Sequence, residues 1–290
     1  MFGSRFFTIA LVAFTPAVSA PDSVNVPRIG DTYEITMISD SAQRGSDGSS
    51  SRSHDVDTII ERVIGLRADG VELQYDVPEV DPEKKGARDW KFPVRILMLT
   101  GGALQLLNRS ELDGRVDKWL KAAKWTREIC GRWIFTWNAF HIECDPQAAA
   151  DTVKAFDLRS IILREGALYR DENALAPGTI TKTASSENRA TFAVQLEADP
   201  NAVHRARAES DVVVAEISRK PVTFEMALLS RSKEAVKGII AITFETDAIG
   251  NIHRRTKISE LHTQKPDGTT DTHTVKQILE RRFVPATRNN

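Results

Sequence analysis

The stretch Ile239–Phe283, IIAITFETDAIGNIHRRTKISELHTQKPDGTTDTHTVKQILERRF, decides the fold. Its three runs, Ile239 to Thr246, Ile252 to His262 and Thr272 to Phe283, are separated by Gly250-Asn251 and Asp267-Gly268. Both dipeptides are tight-turn signals between strands, so the stretch predicts a three-stranded antiparallel meander. A two-residue turn at Asp267-Gly268 would also place His262 directly across from His273.

A second meander is expected at the other end. Tyr33, Ile35 and Met37 alternate with mostly polar neighbours between Asp31 and Ser39, the period of a half-buried strand. Strand character returns from Val56 to Leu66, and Asp69-Gly70 turns the chain into Val71 to Val77. The polar stretch Arg44 to Ser53, rich in Ser, Gly and Asp, reads as a long mobile connection between the first two strands. Pro78, Pro82 and a charge run follow, and then Val94 to Leu99 and Ala103 to Leu107 flank Gly101-Gly102 as a further hairpin.

Helical signals lie between the meanders. Ser110 offers an N-cap ahead of Glu111 to Lys124, where Val116, Leu120 and Ala123 recur at helical spacing. Pro146 behind Asp145 opens a second helix with Ala149, Val153 and Phe156 on one face, and Asp199-Pro200 opens a third reaching Ile217. Pro221 restarts helix with Phe224, Leu228 and Ala235 near one face. The fold class is therefore α+β, with antiparallel β-meanders at both ends and helices inserted between them. Small polar residues from Leu175 to Asn188 mark the best boundary, dividing an N-terminal β-rich lobe (21–176) from a C-terminal lobe (177–290).

Residues 1–20 read as a secretory signal peptide: Arg5, an apolar run from Phe6 to Phe14, then small Ala17, Val18, Ser19 and Ala20. That run is far shorter than the ~20 residues of a membrane-spanning helix, and no later segment is comparable, so no transmembrane segment is expected. No cysteine near the exit could carry a lipid. The expected location is periplasmic or extracellular.

Export changes the meaning of Cys130 and Cys144, because an oxidising compartment favours a disulfide. A straight helix would hold them about 21 Å apart at ~1.5 Å rise per residue, whereas a bridge needs Cα atoms within about 7 Å. The segment is therefore expected to be a bridged hairpin, Trp133 and Phe135 on one face and Ile134 and Thr136 on the other, reversing near Trp137 and Asn138. Closing such a loop is worth about 3 kcal/mol by the chain-entropy model.

Lys and Arg number 39 against 40 Asp and Glu, leaving a formal net charge of −1. No global field draws nucleic acid to such a chain, and no nucleic-acid partner is expected. The local clusters Arg254, Arg255 and Lys257, and Arg281 and Arg282, read as a solvated strand face.

Three constellations carry chemistry. Ser230 and Lys233 match the Ser-x-x-Lys spacing in which lysine activates a serine, but Ser186-Glu187-Asn188 and Lys182-Thr183-Ala184 precede the pair, in the wrong order for a penicillin-recognising enzyme. An exposed polar helix face is the preferred reading. Cys130, His141 and Cys144 offer three zinc-ligand types without a fourth, so the disulfide reading prevails. His262 and His273 lack a third ligand, and no metal or cofactor is expected.

All five tryptophans, Trp90, Trp119, Trp125, Trp133 and Trp137, fall in one short stretch with Phe135 and Phe140. Such density is more often core, but it can also line a pocket or anchor an interface. Trp133, Trp137 and Phe140 are the candidate contacts. The leading expectation is an exported, non-enzymatic envelope protein that binds an apolar ligand or a protein partner. A serine hydrolase using Ser230 and Lys233, and a structural component of an envelope assembly, are the alternatives. N-terminal sequencing of the mature protein is expected to start near Ala20 or Pro21, and intact Met1 on cytosolic protein would remove the export reading.

Overall fold

The computed structural model describes residues 27–78, 89–135, 139–186, 189–220 and 222–285. The signal-peptide reading of 1–20, Trp137 and Pro221 lie outside them, as do the side chains of Phe135 and Phe140.

Ten antiparallel strands form one sheet. The N-terminal meander is β1 (Thr32–Gly45), β2 (Ser50–Arg67), β3 (Gly70–Asp76), β4 (Val94–Leu99) and the short β5 (Leu104–Leu106). β10 (Thr181–Ser186), β11 (Arg189–Glu197), β12 (Ala235–Thr246), β13 (Ile252–Gln264) and β14 (Thr270–Val284) form the C-terminal one. Their spatial order is β10-β11-β12-β13-β14-β1-β2-β3-β4-β5, so the two meanders are fused by pairing of β14 with β1 from Thr32↔Val284 to Gly45↔Asp271. The proposed lobes thus contribute to one sheet and share one cluster of buried residues. Sheet dominates over helix, with 47% of the described residues in strands and 23% in helices.

The stretch expected to be a long loop at Arg44 to Ser53 is mostly strand. β1 and β2 continue past the apolar residues and reverse through Ser46-Asp47-Gly48, with Gly45 N–H bonded to Ser49 O and Gly48 N–H to Gly45 O. The same three-residue turn recurs at Ala248-Ile249-Gly250 and Pro266-Asp267-Gly268, each with its glycine at φ near +85°. This left-handed position is the one that glycine reaches without steric cost. The extra residue also shifts the expected register: His262 lies opposite Thr272, and His273 opposite Leu261. The two histidines therefore project from opposite faces and cannot chelate one ion.

The helices are α1 (Arg109–Ala122), α2 (Gln147–Ala155), α3 (Pro200–Ile217) and α4 (Phe224–Arg231). Asn108, not Ser110, occupies the N-cap of α1, and its side chain is bonded to Arg95 N–H and Pro93 O. α4 starts from Thr223, whose hydroxyl accepts from Met226 N–H, and it stops at Arg231, so Ala235 belongs to β12 rather than to a helix face. Small ladders β6 (Trp133–Phe135) with β7 (Ala139–His141), and β8 (Leu168–Tyr169) with β9 (Gly178–Thr179), and two short 3-10 turns, Asp89–Lys91 and Arg127–Ile129, complete the described elements.

Odd-numbered residues of β1, β2, β13 and β14 and even-numbered ones of β4 and β12 share one sheet face, because directly paired residues point the same way. Ile35, Ile59, Leu73, Ile96, Ile240, Ile242, Phe244 and Leu279 on that face form the core with Leu112, Val116 and Leu120 of α1 and Ala149 and Val153 of α2. Trp90 and Trp119 are core residues, and Trp125 packs edge-on to Trp119 at 6.0 Å between ring centres.

Alternation also corrects the reading of the basic clusters. Arg282 faces out and bonds Glu34, whereas Arg281 turns inward. Glu61, 2% exposed, receives Arg159 and Arg281 on Oε1 and the Tyr75 hydroxyl on Oε2. Burial alone would raise the Glu61 pKa, but the two guanidiniums overcome it and hold the carboxyl below its ordinary 4.5. A carboxylate depressed on folding stabilises the protein above its unfolded pKa and loses that contribution as pH falls through the folded value. The melting temperature is therefore expected to fall as pH drops below 4.5. In Glu61→Gln the acid limb should be shallower and neutral-pH stability lower by about 3 kcal/mol, as for a broken buried pair; matched thermal melts across pH check both.

Candidate functional site

Between α3 and the inward face of β13 and β14 lies an open groove of about 400 Å³. Ala202, Ala206 and Ser210 recur every fourth residue along α3 and line it. Their side chains stack on one helix face, and they are too small to fill the space between helix and sheet. Ile240, Leu261 and Val275 supply the apolar floor. The volume lies within the range of small-molecule sites, roughly 300 to 1,000 Å³.

Polar side chains around this floor are held by partners. Lys257 Nζ, expected at the solvated face, turns into the groove and lies 2.6 Å from Asp171 Oδ2. Arg207 contacts Glu234 at 3.1 Å and Asp271 at 3.8 Å, and Arg231 bonds both Glu234 and Asp211. His204 in α3 bonds the Glu234 carbonyl, tying the helix to the start of β12. His273 lies within hydrogen-bond distance of the Ser41 hydroxyl, and burial, assisted by Arg207, holds its pKa below the ordinary value. With its cations neutralised, the groove suits an uncharged apolar body with a few polar contacts at its edge.

The bridged hairpin is present. Cys130 and Cys144 are disulfide-bonded with Cα atoms 5.6 Å apart, which removes both thiols from any zinc site. Trp133 pairs with His141 across β6 and β7, their rings 5.4 Å apart, and β6 lies against α3. Trp133 therefore stands beside the helix that walls the groove but is not among the groove's lining residues. Trp137 lies outside the described residues, and Phe140 is placed only by its backbone in β7. The groove itself was missed in the sequence, where the Ala202, Ala206, Ser210 spacing inside a predicted helix was the available signal. Glu61 had a signal too: a carboxylate at an inward position between Ile59 and Val63.

No family model matches the chain, and no curated protein matches it. Among solved structures, one of lipid–protein interactions in lipovitellin aligns with 91% of this chain and 26% of its own, at 7% identity and a TM-score of 0.44. The chain thus spans about a quarter of that protein's length. Ail, the attachment invasion locus protein of Yersinia pestis, aligns over 88% of this chain and 99% of its own at 4% identity and a TM-score of 0.18. A loop-deleted OmpT outer membrane protein of Vibrio cholerae aligns over 87% and 100% at 5% identity and a TM-score of 0.22. Among the described residues no helix is long and apolar enough to cross a membrane.

Ser230 lies in the last turn of α4, and Lys233 follows the helix end. Both are exposed, and among the described residues no hydrogen bond joins their side chains. A serine activated by lysine needs that contact. A broad serine-reactive probe is expected to label the wild type no more than Ser230→Ala; labelling lost in the variant would restore the hydrolase reading.

Proposed function

We propose that the protein is an exported, non-enzymatic envelope protein that binds an apolar ligand in the groove between α3 and the sheet. The groove is the observation that carries this reading: a small-residue helix face stands off an apolar floor of Ile240, Leu261 and Val275. The Cys130–Cys144 disulfide supports an oxidising compartment. The strand β6 that carries Trp133 packs against α3, the helix that walls the groove. Each buried methylene contributes about 0.8 kcal/mol, so a chain of roughly eight offers about 6 kcal/mol before the cost of association.

Ala206 is exposed on the groove wall, and enlarging it fills the groove without disturbing the core. A fluorescent fatty-acid analogue is expected to bind the wild type saturably, and Ala206→Phe to weaken it about tenfold, the equivalent of about 1.4 kcal/mol. Stability of the variant should stay within about 0.5 kcal/mol of wild type, as for exposed sites. Absent binding, or binding unchanged in a folded Ala206→Phe protein, would overturn the reading.

A further inference from the structure

Two guanidiniums converge on the single carboxylate of Glu61; the nearby Asp157 carboxylate, which also acts on Tyr75, accepts from the Arg159 and Ser160 backbone N–H groups and bonds neither guanidinium. Arg159 and Arg281 each direct Nε and Nη2 to the same oxygen, Glu61 Oε1. The other oxygen, Oε2, accepts from Tyr75. Two guanidiniums share one carboxylate, and among the described residues no hydrogen bond is made by Nη1 of either arginine. The Arg281 guanidinium lies over the Tyr33 ring, 3.3 Å from its centre, so its plane is set by an aromatic face as well as by the carboxylate.

These arginines line a cavity of about 220 Å³ with Tyr33, Asn251, Ile161 and Leu163. No carboxylate lines it among the described residues. Asp31 and Asp247 belong instead to an adjoining cavity of about 330 Å³, which shares Tyr33, Asn251, Ile252 and Arg281. Asp31 there accepts from Arg28 N–H, and Asp247 from the backbone of its own turn and from the Asn251 amide. Arg281 and Arg159 are only 8% and 20% exposed, so their charge sits where solvent screens it weakly.

We propose that this inner cavity is a site for a small oxyanion, a carboxylate or phosphate group, held by Arg159 and Arg281 with Asn251 at its edge. An arginine already fixed in orientation loses little freedom when it binds a planar or tetrahedral oxyanion. Glu61 acts as the positioning residue, holding both guanidiniums side by side. The site is separate from the α3 groove and stands or falls without it.

Calorimetric titration of the full mature chain with inorganic phosphate, and separately with malonate, at ionic strength held constant with chloride, tests the site. One ion per chain is expected to bind from at least one of the two probes. Phosphate binding alone assigns a phosphate-bearing ligand, and malonate binding alone a carboxylate. Arg159→Gln should weaken the bound probe about tenfold or more, the loss expected for a charge-assisted hydrogen bond. Asn251→Asp places a negative charge at the exposed edge while leaving the Glu61 cluster intact; it loses the amide bond to Asp247 and so lowers the melting temperature somewhat, and it should weaken binding in the protein that remains folded. Neither probe binding, or binding left unaltered by Asn251→Asp in the folded protein, would overturn the proposal, whatever Arg159→Gln does to folding.

Discussion

The pairing of β1 with β14 is the constraint on which the rest of the structure depends. Every other neighbour in the large sheet except β11 and β12 is joined by a chain reversal or a short excursion, while these strands meet from opposite ends of the described chain, Tyr33 opposite Phe283. Bringing them together carries the entropy of closing a very long loop, though that cost rises only logarithmically with length. In return two curved meanders become one sheet, with a continuous inward face for α1, α2 and α3 to cover. Such non-local pairing is the slow kind, so folding should be limited by it rather than by the local hairpins.

At one end of that seam the sheet carries charge inward. Glu61 on β2, Tyr33 on β1 and Arg281 on β14 stand on three successive strands, and Arg159 reaches them from the segment after α2. An unpaired carboxylate there would be costly, and each arginine offsets its desolvation. The cluster fixes where β1 and β14 sit relative to the covering segment. It also leaves the paired arginines from which the oxyanion site is inferred.

At the other end the cover thins. The α3 face made of Ala202, Ala206 and Ser210 cannot fill the gap above β13 and β14, so an open groove remains where larger side chains would have made core. One sheet thus carries two unlike cavities, one with an apolar floor and ion-paired cations and one lined by the two arginines that share Glu61. Their difference follows from which residues alternate inward on the same strands.

Much of the local structure was legible by itself. Alternation and turn residues located both meanders, Asp199-Pro200 marked the start of α3, and the cysteine spacing in an expected exported chain implied the bridged hairpin that is present. These features depend on neighbours in sequence, through backbone sterics, capping and chain reach. The turn at Pro266-Asp267-Gly268 shows the limit, since one added residue moved His273 to the face opposite His262. Only the tertiary structure decided that the meanders share one sheet, that Lys257 and Arg281 point inward to Asp171 and Glu61, and that α3 leaves a groove. Those outcomes turn on which distant strand supplies the missing hydrogen bonds and which face is thereby removed from water. Residue spacing along the chain carries no record of either.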